Sequence, residues 1–144
     1  MTTTLTGPAN SVTLFVDTVY WLALINPRDA WHVRATEWAT EIAEPLVTTD
    51  PVLTEVADAL CRADRRAWAI SAIRNVRADP QITTVPGSTD LFSRGFDLYA
   101  GRQDKDWSLT DCISFVVMNE RGLDRALTAD THFIQAGFRA LLLD

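Results

Sequence analysis

Lysine is nearly absent. The chain of 144 residues carries twelve arginines but only Lys105, and its net charge is −6. An acidic chain of this kind is not a simple nucleic-acid binder coated in lysine. Cysteine is scarce too. Cys61 and Cys112 are the only two, each in an apolar helical context, and neither has His or Cys neighbours at ligand spacing. That excludes a zinc site and predicts two reduced core residues, with a disulfide as the alternative. No apolar run approaches the ~20 residues of a membrane helix. The opening "MTTTLTGPANS" lacks the basic-then-apolar order of a secretory signal. Residues 1–11 read as a flexible lead-in, 12–144 as a single domain, and the location as cytoplasmic. Neither G-x-G-x-x-G nor a P-loop is present, which removes the usual nucleotide-binding α/β readings.

What is present is ordinary globular composition, 47% hydrophobic and 22% charged. Short apolar runs without clean alternation recur at 12–16, 46–48, 82–86, 126–129 and 139–143, the pattern of fully buried strands. Helical segments separate them: 18–26, 32–44 (stopped by Pro45), 51–62, 64–77, about 88–100, 109–121 and 131–137, the last opened by Asp130. Asp50 before Pro51 reads as an N-cap followed by proline at the first helical position. In the 64–77 helix, Trp68, Ile70 and Ile73 are expected to face inward and the arginines outward. Alternating strands and helices predict an α/β fold, a three-layer α/β/α sandwich around a short-stranded parallel sheet.

Ligands of such a fold bind outside the carboxyl ends of the strands. Asp17 directly follows the first strand, Glu55 lies one turn into the helix after the second, and Asp130 follows the fourth. Asp111 sits in the first turn of a helix whose body, "CISFVVM", must be buried. All four acids therefore converge on one edge. Each has a plainer reading: Asp111 and Asp130 as helix caps, Asp17 as a turn residue, Glu55 as an exposed helix acid. Converging carboxylates repel, and protons or cations must compensate them. All-oxygen sites suit Mg²⁺ or Mn²⁺, which lower the pKa of a bound water and neutralise charge on a phosphoryl group.

These segments resemble a known family. "LFVDTVYWLALINPRDAWH", "TDPVLTEVADAL", "WSLTDCISFVVMNERGL" and "ALTADTHFIQAGF" resemble, in order, the four motifs of the PIN-domain family, in particular the VapC-type toxins of bacterial toxin–antitoxin pairs. The resemblance runs from about Thr13 to Leu142. It implies a Mg²⁺- or Mn²⁺-dependent endoribonuclease that hydrolyses RNA by a metal-activated water, without a separate protein base. Asp17, Glu55, Asp111 and Asp130 are then both the metal ligands and the catalytic residues. It also implies a homodimer and a cognate antitoxin, a small DNA-binding protein whose C-terminal tail covers the site. No membrane association is expected. The alternative is a catalytically silent PIN-like module that binds protein or RNA.

Around these acids, Thr18, Ser108 and Thr110 can serve as outer-shell hydrogen-bond partners. His132 is expected to point away from Asp130, since residues two apart on a helix occupy different faces. Asp104 and Asp106 read as solvated loop residues at the rim, with an extra or outer-shell acid as the alternative. Arg62, Arg65, Arg66, Arg74 and Arg77 form either a solvated helix face or a surface for RNA phosphates or antitoxin acids. Trp31 and Trp107 are candidate stacking platforms or core residues. A response-regulator receiver needs a phosphate-contacting lysine after a late strand, and Lys105 instead lies in a loop before a helix. A haloacid-type phosphatase needs D-x-D, whereas Asp17 is followed by Thr18 and Val19.

Overall fold

The first strand carries no polar side chain, and its three residues are fully buried, which is possible only at the centre of a sheet covered on both faces. In the computed structural model, which describes residues 13–144, this is where it lies. The expected lead-in 1–11 and Val12 of the first strand fall outside the described residues. Five parallel strands, β1 (Leu14–Val16), β2 (Leu46–Thr49), β3 (Ile82–Val85), β4 (Arg125–Leu127) and β5 (Arg139–Ala140), follow the order β3-β2-β1-β4-β5. β1 pairs with β2 through Leu14–Leu46 and with β4 through Phe15–Ala126.

Seven α-helices occupy the described residues: α1 (Thr18–Ile25), α2 (His32–Glu41), α3 (Asp50–Ala59), α4 (Arg66–Ala78), α5 (Thr89–Gly101), α6 (Leu109–Arg121) and α7 (Thr131–Gln135). The chain leaves β1 in one direction, through β2 to β3, then crosses back to β4 on the other side. Right-handed crossovers place α1–α4 on one face and α5–α7 on the other. The reversal beside β1 opens a crevice at the strands' carboxyl ends.

Several local expectations change. Thr49, not Asp50, caps α3: its hydroxyl accepts from Val52 N–H at 3.1 Å, while Asp50 is already helical and accepts from Gly87 N–H at 3.1 Å. α2 ends at Glu41 because Ile42 turns to extended backbone, before Pro45 is reached. α4 starts at Arg66 and buries Ala69 and Val76, with Ile73 packed beside them; Trp68 and Ile70 are 40% and 44% exposed. The packed stripe follows 69, 73 and 76, and small Ala69 lets the helix approach its neighbour. The last apolar run pairs only at Arg139–Ala140, then tightens into a 3-10 turn at Leu141–Leu143. Cys61 lies in the turn beyond α3 and is exposed, so only Cys112 is a core residue; both are free thiols.

α6 ends at Gly122, whose φ of 70° is a left-handed conformation that glycine adopts without a Cβ penalty. Its other end is held by close approach to α5. A Cβ on Gly95 would overlap Ile113 Cγ1 and stand 3.2 Å from Ile113 Cα. Because the overlap is with a branched side chain whose backbone stands close behind it, Gly95→Ala is expected to destabilise the fold by roughly 1–3 kcal/mol. Denaturant unfolding reads this directly, and a neutral result would mean that the α5–α6 contact gives way easily.

Candidate active site

The crevice collects one carboxylate from each of four separate elements. Asp17 ends β1 and begins α1. Only 3% of it is exposed, and its Oδ2 accepts from Thr128 Oγ1 at 2.8 Å. Glu55 reaches over from α3 and accepts from Thr18 Oγ1 at 2.5 Å. Asp111 is the third residue of α6 and closes a capping box: Ser108 Oγ accepts from its N–H at 3.0 Å, and its Oδ2 accepts from Ser108 N–H at 3.1 Å. Asp130 caps α7, its Oδ1 accepting from His132 N–H at 2.8 Å. Capping therefore fixes where the carboxylates of Asp111 and Asp130 stand.

A cleft of about 490 Å³ is lined by all four acids, together with Thr18, Asp58, Asp106, Ser108 and His132. Thr18 and Ser108 bond the acids as expected, whereas Thr110 does not line the cleft. Asp106 is at the rim. Asp104 is turned away into a bidentate pair with Arg102, which holds its carboxyl below the usual range. Trp107 is buried and donates from Nε1 to Gln135 Oε1 at 3.0 Å, so it is core rather than platform; Trp31 packs half-buried against the core.

His132 corrects the sequence reading. Its Nδ1 lies 3.0 Å from Asp111 Oδ2 and 3.4 Å from Asp130 Oδ1, and one ligand atom from each of the three falls within 4.8 Å of the others. The helix-face argument fails because Asp130 is an N-cap with extended backbone, outside the helix, and α7 is only five residues long. Two further residues had no place in the sequence reading. Thr128 is fully buried and bonds both Asp17 and the Asp130 N–H, the latter at 3.0 Å; a threonine two residues before the fourth acid was its signal. Asp58 shares the face of Glu55 at i+3 spacing.

Electrostatically the cleft is unbalanced. No lysine or arginine pairs with Asp17, Glu55, Asp111 or Asp130 among the described residues, and the only ion pairs there are those of His132. Burial pushes the Asp17 carboxyl up to about 7, against the opposing bonds from Thr128 and the Thr18 backbone, and Asp111 and Asp130 add to the rise. Asp111 is raised as well, again chiefly by burial, with His132 and Ser108 N–H opposing. Such a site holds protons or a cation. An oxygen-rich set with one imidazole nitrogen fits a divalent ion.

Comparisons with known proteins identify relatives of this chain. Residues 14–139 match the family model described as PIN domain. The chain is 32% identical over 127 residues to the 23S rRNA-specific endonuclease VapC20 of two Mycobacterium tuberculosis strains, covering 87% of this chain and 95% of the relative. The crystal structure of Mycobacterium tuberculosis VapC20, described as a sarcin-ricin loop cleaving toxin, is similar with a TM-score of 0.80 at 28% identity, over 87% of this chain and 95% of that one. FitAcB from Neisseria gonorrhoeae shares the fold, with a TM-score of 0.61 at 14% identity over 88% and 94% of the two chains.

Proposed function

The chain belongs to the PIN-domain family, and from that premise we propose that it is an endoribonuclease toxin of the VapC type whose carboxylate cleft hydrolyses RNA phosphodiester bonds. Asp17, Glu55, Asp111 and Asp130 are the catalytic, metal-holding residues in this reading, and residues 12–144 form the single nuclease domain. The observation that carries it is a buried acidic cluster without a lysine or arginine partner among the described residues. A divalent cation, Mg²⁺ or Mn²⁺, supplies there the Lewis acid that activates water and offsets charge on the phosphate.

The protein's own residues set the geometry. Thr128 and Ser108 fix the carboxylates of Asp17 and Asp111, and Thr18 fixes Glu55. His132 stands between Asp111 and Asp130, its Nδ1 within ion-pair reach of both carboxylates. Outer partners of this kind contribute roughly 10–100-fold to metal affinity or activity. The relative's stated specificity makes 23S ribosomal RNA the first substrate to test. A cognate antitoxin and a second copy of the chain are the protein partners of this reading. No helix among the described residues is long and apolar enough to cross a membrane.

Purified protein with Mg²⁺ or Mn²⁺ is expected to cut ribosomal RNA, and Asp111→Asn to reduce cutting by at least about a hundredfold. Gel analysis of the fragments checks this. Equal cleavage by wild type and variant would mean a contaminating nuclease. No cleavage by either would turn the assignment toward a silent RNA- or protein-binding module.

A further inference from the structure

A second cleft, of about 390 Å³, adjoins the first, and Asp106 lines both. Its walls differ in character: Tyr99, Arg102, Gln103, Lys105 and Trp107 contribute to it. Trp107 is an immobile wall, 6% exposed, tied to Gln135 and meeting the Phe115 ring edge-on at 5.0 Å. Two cations lie over its ring, Arg102 at 5.1 Å and Lys105 at 5.9 Å from the centroid.

The two cations are not equivalent. Arg102 directs its fork to Asp104, at 2.9 and 3.1 Å, so its charge is already answered. Lys105 Nζ has no carboxylate within salt-bridge reach among the described residues, and acts on Asp104 only from a distance. The indole keeps its ammonium in place without neutralising it. Tyr99, 47% exposed, ends a row of rings on α5 in which Phe92 and Phe96 are 4° and Phe96 and Tyr99 26° from parallel. A cation held against a ring outside any close ion pair, and an exposed aromatic face in the same cleft, are the two contacts that single-stranded nucleic acid uses.

We propose that this cleft is the subsite for the nucleotide next to the scissile phosphate, with Lys105 contacting the neighbouring phosphate and Tyr99 stacking on its base. The inference rests on the nuclease reading and adds to it the means by which an acidic protein holds a polyanion. The carboxylate cleft repels phosphate, and Lys105 offsets that repulsion at its border.

Fluorescence anisotropy with a labelled single-stranded RNA, at low salt and in EDTA so that turnover plays no part, tests it. Lys105→Ala is expected to weaken binding about fivefold and to flatten the plot of log K against log salt by about 0.7. Tyr99→Ala is expected to weaken binding about tenfold. Lys105→Arg should bind within about twofold of wild type, since a cation is retained. Arg121→Ala, on the opposite edge beside Thr13 and Pro45, should leave binding unchanged. Wild-type binding by both Lys105→Ala and Tyr99→Ala, or an equal loss in Arg121→Ala, overturns the subsite. If instead the subsite variants lose RNA binding while the wild type cuts no RNA with Mg²⁺ or Mn²⁺, the nuclease reading fails and the RNA contact stands.

Discussion

Replacing Asp17 with asparagine is expected to abolish cleavage, by at least about a hundredfold, and at the same time to stabilise the metal-free protein at neutral pH. The two effects share one cause. The Asp17 carboxyl is buried, and burial lifts its pKa from 3.8 to about 7 in the folded state. Between those values the native protein keeps a proton that the unfolded chain has lost, so stability falls as pH rises across that window. At 1.36 kcal/mol per unit, the shift amounts to about 4 kcal/mol lost by the time pH exceeds 7. Asparagine carries no charge to bury, and its amide oxygen can still accept from Thr128. In EDTA, melting curves at pH 4.5, 6 and 7.5 should therefore show a wild-type Tm that falls relative to the variant's. Divalent ions should raise the wild-type Tm more than the variant's, because they bind the folded wild type better. A constant difference between the two proteins across pH would refute the argument.

Phe115→Ala is expected to cost roughly 3–5 kcal/mol and to lower Tm by roughly 10 °C or more. Phe115 is 1% exposed and meets Trp107 at 5.0 Å, Phe133 at 5.0 Å and Phe138 at 5.7 Å between ring centroids. It is the shared packing surface of α6, which carries Asp111, and α7, which Asp130 caps. Removing it leaves a cavity beneath both acids, and cleavage should fall with stability. Phe115→Leu fills much of the space and should cost less. Urea unfolding measures the loss, and a change below about 1 kcal/mol would show that the aromatic cluster can collapse around the gap.

The four acids were legible because each stands where secondary structure changes: Asp17 at a strand end, Glu55 one turn into a helix, Asp111 in a capping box, Asp130 at a cap. Punctuation of this kind is written locally, and the strand–helix alternation that surrounds it is local too. The parts that were not legible depend on three-dimensional neighbours. His132 swings toward Asp111, twenty-one residues away, and no periodicity reports that. Thr128 looks like an interior strand residue until Asp17 is placed beside it. Trp68 and Ile70 suggested an inward face, yet burial followed Ala69 and Val76, because close helix contact favours small side chains over large ones. Cys61 looked helical and buried, but α3 stops two residues earlier.

The central place of β1 has a consequence for synthesis. β1 is made before its neighbours, yet Phe15 and Val16 find their partners on one side only when Ala126 and Leu127 have been translated. Asp17 depends on the same late event, since Thr128 is its hydrogen-bond donor and Asp130 joins the cluster two residues further on. A nascent chain that stops short of β4 holds three of the acids without the strand that brings the fourth beside them. In the proposed reading, nuclease competence therefore arrives only once β4 and Asp130 have been made rather than accumulating along the chain, and a product truncated before β4 is expected to be inert.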